Sequence, residues 1–155
     1  MEHIDTMNAS FTSSRPLFDW YVAGPWHTPS QLESLERLER TLQRHHLRLY
    51  QPRFETEVDV DGPRTVFARR LSALRDSAAL IVDYHVDDPD PDSLVDMGVA
   101  HTWGIPVYLV AEGIVPGTRM GVMVAQCATG ILPGAGALEA FLDSGRCDPV
   151  PVEPC

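Results

Sequence analysis

Between Asp83 and Val110 the chain reads DYHVDDPDPDSLVDMGVAHTWGIPVYLV: a strand end, an acidic loop, a short helical stretch and a second apolar strand. Asp96 is the residue in this segment best suited to chemistry. An acid in the first turn of a helix that follows a parallel strand lies outside the strands' carboxyl ends, where open α/β sheets bind ligands. There its charge meets unpaired N–H groups and the positive end of the macrodipole, which keep it ionised as a nucleophile requires. A second candidate closes the apolar run LFDWYVA, where the phenol of Tyr21 can hold one carboxylate oxygen while the other attacks. Asp90 and Asp92 are candidates for a general acid or for gripping a sugar hydroxyl. In the turn after the run, Gly24 lets backbone approach a ligand and Trp26 offers a flat apolar face to a planar base. The plainer reading of these residues is a solvated acidic loop, a core strand with an ordinary turn, and an Asp96 that only favours the dipole.

Composition narrows the chemistry. A net charge of −10 argues against a polymeric nucleic acid as partner, because that affinity rests on clustered cations. All twelve basic residues are arginine, so Schiff-base chemistry and lysine-dependent phosphate loops are excluded. Of the six histidines, His45 and His46 are adjacent and cannot face one ion. His85 and His101 flank the acidic loop without zinc spacing, so no metal and no cofactor is expected. Neither a G-x-S-x-G elbow nor a G-x-G-x-x-G turn is present. Cys127, Cys147 and Cys155 have no C-x-x-C spacing and read as reduced thiols. No basic start leads into an apolar run, and no stretch approaches the roughly 18 apolar residues that span a bilayer. The expectation is a cytoplasmic protein without a membrane partner.

A chain of 155 residues suits one domain. Residues 1–15 are polar and read as a mobile tail, residues 16–145 as the domain, and residues 146–155 as an extended, proline-bearing tail. Leu17 to Ala23 reads as a first strand closed by Gly24-Pro25. Ser30, with Glu33 three residues on, reads as the cap of a helix carrying Leu32, Leu35, Leu38 and Leu42 at helical spacing. Leu47 to Gln51 reads as a second strand, and Phe54 to Arg64 as a loop and candidate lid. Val66 to Asp76 has Phe67, Leu71 and Leu74 at helical intervals, and Ala78 to Asp83 is an apolar run of the buried parallel type. A helix from near Ser93, a strand Ile105 to Val110, a short helix Arg119 to Cys127, a strand Thr129 to Leu132 and a helix Ala135 to Leu142 complete the domain. This alternation implies right-handed βαβ units and an α/β fold with a doubly wound parallel sheet of about five strands.

The segment from Tyr21 to about Leu142 resembles the nucleoside 2-deoxyribosyltransferases, flavodoxin-like enzymes that move 2-deoxyribose between nucleobases through a covalent glycosyl ester. Tyr21-Val-Ala-Gly-Pro-Trp26 is similar to the family's opening turn. DPDSLVDMG is similar to its signature loop, with Asp90 six residues before the catalytic acid and Gly98 two after it. The resemblance implies that Asp96 is the nucleophile, Tyr21 its orienting hydroxyl, Asp90 a group near base or sugar, and Trp26 a wall for the base. It further implies that Gly121-Val-Met123 touches the sugar's 5′ side of a neighbouring subunit, hence a homo-oligomer acting on a small-molecule 2-deoxynucleoside and a free nucleobase. Three positions depart from the family pattern. Asp96 stands for a typical Glu and is about 1.5 Å shorter. Gly121 stands for Asn, and Arg70 for an acid or amide near the base. Arg70 points either into the site, toward acceptor atoms of a base or a phosphate, or to solvent beside Glu55 or Glu57. The implied alternatives are a deoxynucleoside or deoxynucleotide N-glycosidase and a catalytically silent nucleoside sensor.

Overall fold

A computed structural model describes residues 15–55 and 58–155, so the expected tail, apart from Arg15, and Glu57 lie outside the described residues. In chain order the first half comprises β1 (Phe18–Ala23), α1 (Pro29–Arg44), β2 (Leu49–Tyr50), α2 (Pro52–Glu55), α3 (Val58–Asp61), α4 (Pro63–Arg75) and β3 (Ser77–Asp83). The second half comprises α5 (Pro91–Thr102), β4 (Val107–Val110), β5 (Arg119–Met120), α6 (Val122–Cys127), β6 (Gly130–Leu132), α7 (Ala135–Ser144) and β7 (Glu153–Pro154). Five strands form one parallel sheet in the order β2-β1-β3-β4-β6. This is the doubly wound sheet that the alternation predicts.

Side chains alternate across that sheet with the two-residue period of a strand. Tyr21, Ala23, Leu80 and Val82 pack toward one layer with Leu74 of α4 and Met97 and Ala100 of α5. Trp20, Val22 and Ile81 point the other way, against Leu35, Leu38 and Leu42 of α1 and Leu138 of α7. Both faces of β1 and β3 are covered, which is why Trp20 to Ala23 and Ala78 to Val82 are apolar without alternation. The sheet order reverses between β1 and β3. Crevices open at such a reversal, outside the carboxyl ends of the strands.

Several boundaries differ from the sequence reading, each for a local reason. Thr28, not Ser30, caps α1: its hydroxyl accepts from the Gln31 amide, and the Gln31 side chain accepts in return from the Thr28 amide. Pro29 makes this the start, since a residue at the first helical position needs no N–H. Proline sets the start of α4 in the same way, at Pro63 rather than Val66, and its Phe67 is exposed rather than part of the core. Phe54 to Arg64 is not a plain loop but carries the end of α2, the helix α3 and the start of α4. Arg119 to Cys127 divides into the strand β5, with Met120 buried, and the helix α6. The C-terminal segment pairs β7 in parallel with β5. Among the described residues no helix is long and apolar enough to cross a membrane.

One ion pair fixes the segment that floors the crevice. Glu39 of α1 is 3% exposed, and its carboxylate accepts from Arg53 Nη2 at 2.7 Å and from Gln51 Nε2 at 2.7 Å. This anchors β2 and α2 to the first helix. Arg53→Ala leaves a buried carboxylate short of its cation, at a cost of about 3 kcal/mol, or about 6–12 °C in Tm for a chain of this size. Replacing both partners by apolar residues, Glu39→Leu with Arg53→Met, recovers most of that loss. Urea and thermal denaturation of the three proteins measure both effects.

Candidate active site at the carboxyl edge of the sheet

The acidic loop delivers its carboxylates through one helix. Asp90 is the N-cap of α5, its Oδ2 accepting from the Ser93 amide at 3.1 Å and the Ser93 hydroxyl at 2.7 Å. Pro91 then occupies the first helical position. Asp96 therefore lies in the second turn, not the first, beyond the unpaired amides that were expected to hold it ionised. Its surroundings act in the opposite sense. Burial pushes the Asp96 carboxyl up to about 7, and the nearby charges of Asp92 and Asp90 push the same way, against the Arg70 guanidinium. Near neutral pH the group is divided between acid and carboxylate.

Tyr21, Gly24, Trp26, Arg70, Asp90, Asp92 and Asp96 converge on one cavity of about 210 Å³ at the β1/β3 reversal. The Trp26 ring lies beside the Arg70 guanidinium, 5.8 Å from ring centroid to guanidinium carbon. Arg70 does not point to solvent beside Glu55. Its side chain is 19% exposed, and its Nη1 lies 3.4 Å from Asp92 Oδ2. The separation of α4 from α5 decides this, a tertiary distance that no sequence spacing encodes.

Tyr21 departs from its expected role in one respect. Its ring is fully buried and lies 5.2 Å from that of Tyr50, which fixes where the hydroxyl can reach. That hydroxyl makes no hydrogen bond to Asp96 or to any other described residue. It is close enough for the Asp96 charge to raise its pKa, after burial, which is the larger cause. An unpaired buried hydroxyl costs about 1–3 kcal/mol, so the cavity holds a donor that a ligand or a small shift of Asp96 can satisfy. Gly24, besides lining the cavity, has a packing role. A Cβ there would stand 2.9 Å from Asp83 Cβ and 3.2 Å from Leu35 Cδ1, so the glycine lets β1 close against β3 and α1.

Gly121 and Met123 line neither this cavity nor its neighbour. Gly121 caps α6 and Met123 is 77% exposed on that helix. Sequence reasoning missed an adjoining cavity of about 350 Å³, walled by Val58, Pro63, Val66, Phe67, Leu71 and Val95 and sharing Arg70, Asp92 and Asp96. The apolar residues within the acidic stretch 54–64 were the available signal. His27 and Pro52 at the rim of the first cavity were missed too. Among the described residues no group of three His, Cys, Asp or Glu side chains is placed to hold a metal.

Fold and site together define a small open α/β domain that presents a protonatable carboxyl at its topological switch point. Residues 20–128 match the family model described as nucleoside 2-deoxyribosyltransferase, and the chain belongs to that family. Its fold is similar to a 2-deoxyribosyltransferase from the psychrotolerant bacterium Bacillus psychrosaccharolyticus, with a TM-score of 0.67 at 18% identity, covering 88% of this chain and 98% of that one. It is also similar to a 2-desoxiribosyltransferase from Leishmania mexicana, with a TM-score of 0.62 at 14% identity, covering 82% of this chain and 98% of that one. At these identities the likeness is one of fold. A search of curated proteins finds no significant match.

The Asp96 environment carries a stability cost with a defined pH dependence. Its carboxyl is raised from 3.8 to about 7, so the folded protein holds a proton that the unfolded chain releases. Below about pH 3.8 both states are protonated and no penalty exists; stability then falls as pH rises, and the full penalty is present above about pH 7. Asp96→Asn removes it. The variant is more stable than wild type by on the order of 2–4 kcal/mol above about pH 8, and the gain vanishes by about pH 4. Denaturant titrations across that range measure it, and a gain independent of pH excludes the buried charge as its source.

Proposed function

We propose that the chain cleaves the N-glycosidic bond of a 2-deoxynucleoside through a deoxyribosyl ester on Asp96 and passes the sugar to another nucleobase. The observation that carries this reading is the convergence of a partly buried carboxyl, an aromatic face and an unpaired phenol on one cavity. The ionised Asp96 attacks the anomeric carbon while the bond to the base breaks, and the base leaves with the electron pair and takes a proton from water. A ring nitrogen of a second base then attacks the same carbon, loses its proton to water and releases the carboxylate. Trp26 supports the base, and the Tyr21 hydroxyl donates to Asp96 or to a sugar oxygen. Asp92 is better placed than Asp90 to meet substrate, because both hydrogen bonds from Ser93 hold Asp90 as the helix cap.

A second reading is favoured by Arg70. Its guanidinium faces the cavity and suits a phosphate, which makes a deoxynucleotide N-glycosidase, with water taking the ester, the alternative substrate class. Incubation with 2-deoxyinosine plus adenine or cytosine, and separately with a deoxynucleoside monophosphate, distinguishes the two by chromatography. New nucleoside supports transfer, and free base from the monophosphate alone supports the glycosidase. In either case Asp96→Asn loses at least about a thousandfold in rate. Mass spectrometry of the quenched wild type finds the sugar adduct on the peptide containing Asp96. Retention of a tenth of the activity by the Asn variant removes Asp96 from the mechanism.

The exposed Val122 and Met123 of α6 support a homo-oligomer in which this segment completes a neighbouring site. Light scattering at micromolar concentration then gives a mass above that of one chain. A monomer with full activity contradicts the shared site.

A further inference from the structure

Asp92 and Asp96 are one helical turn apart on α5 and share one face of it. Two carboxylates at this spacing repel each other, and both border both cavities. Arg70 is the basic residue bordering the same two cavities. It arrives from α4, with 3.4 Å between its Nη1 and Asp92 Oδ2, and its side chain is largely withdrawn from water. A cation so placed is screened less than at a free surface and acts on every charge around it.

We propose that Arg70 is a positioning residue, a counter-ion shared by Asp92 and Asp96, which keeps Asp96 able to ionise in a pocket that otherwise favours its neutral acid. The shared cavities and the Arg70–Asp92 contact supply the geometry of this inference; its catalytic consequence rests on Asp96 being the reacting acid. Among the described residues, the titratable groups that share the cavity or the layer of Asp96 are Tyr21 from β1, His27 from the turn after it, Tyr50 from β2, Arg70 from α4, Tyr84 after β3, and Asp90 and Asp92 from its own helix. Cys127, from the adjacent α6, packs against the same core. Asp83 of β3 and Tyr108 of β4 belong to the opposite layer. Arg70 is the permanent cation among these described groups, and it opposes burial, Asp92 and Asp90. Arg70 cannot serve one acid without affecting the other. Removing Asp92 deletes a repelling charge beside Asp96, whereas removing Arg70 takes away a cation that opposes the repulsion and the burial.

The two changes therefore move Asp96 in opposite directions, which a purely structural role does not require. The test is a carbon-13 NMR titration of the full chain labelled at the aspartate carboxyl, with the Asp96 signal assigned by its loss in Asp96→Asn. The wild-type midpoint lies near 7. Arg70→Gln raises it by about one pH unit, a tenfold gain in proton affinity, while Arg70→Lys restores it to within about half a unit. Asp92→Asn lowers it by a comparable amount. The acid limb of the kcat/KM profile shifts in parallel wherever turnover is measurable. An unmoved midpoint in Arg70→Gln, or shifts of the same sign in Arg70→Gln and Asp92→Asn, overturns the proposal. Should Arg70→Gln fail to fold, Arg70→Lys and Asp92→Asn decide it, since Asp92 is mostly exposed and its amide is tolerated. Opposite shifts without turnover in any protein support the shared counter-ion and count against the transferase reading alone.

Discussion

The reversal of strand order between β1 and β3 is the constraint on which the site depends. Parallel strands need crossover helices, and where the crossovers part to opposite faces the strand ends are left uncovered. Into that gap β1 delivers Tyr21 and the Gly24-Pro25 turn, and the connection after β3 delivers α5. Close packing at the seam follows from Gly24, since any side chain there would meet Asp83 and Leu35. The cavity is thus a consequence of topology, made precise by one missing Cβ.

Within that gap the desolvation of Asp96 works against the guanidinium of Arg70. A carboxyl taken partly out of water is held neutral unless a counter-charge is near, and Arg70 is near but is also engaged with Asp92. The result is an acid balanced near neutrality rather than one held firmly in either form. A nucleophilic carboxylate that must attack, and later leave as a carboxylate, is served by such balance: too stable an anion attacks poorly, and too buried an acid never ionises.

Much of the fold was legible because it rests on local periodicity. The apolar runs at β1 and β3 and the leucines of α1 follow strand and helix periods, and the number of strands followed from their alternation with helices. Where boundaries moved, proline had moved them. Pro29, Pro63 and Pro91 each begin a helix, and weighing the Asp90-Pro91 pair as cap and first position would have placed Asp96 in the second turn from sequence alone. The candidate residues were legible as a set, since seven of them line one cavity. Their mutual geometry was not. That Arg70 turns inward depends on how α4 lies against α5, and that Tyr21 lacks a partner depends on the packing of its ring on Tyr50. Such distances arise between elements far apart in the chain, and residue spacing carries no record of them.

The departures from the sequence reading share a physical cause. A partly buried acid raised toward neutrality and a buried phenol without a hydrogen bond each cost free energy that the fold could have avoided with apolar residues. Both lie in the same cavity. Strain confined to one place in an otherwise self-consistent core is the pattern expected where structure has been given over to function. The adjoining chamber extends it. Val58, Phe67 and Val95 leave apolar surface exposed beside the same carboxyl, so the region is costly in water as well as in charge. An uncovered apolar wall, an unpaired donor and a half-ionised acid thus border one region of the surface. On the proposed reading, a planar, partly polar ligand covers the first and pairs with the second, which is why the three occur together.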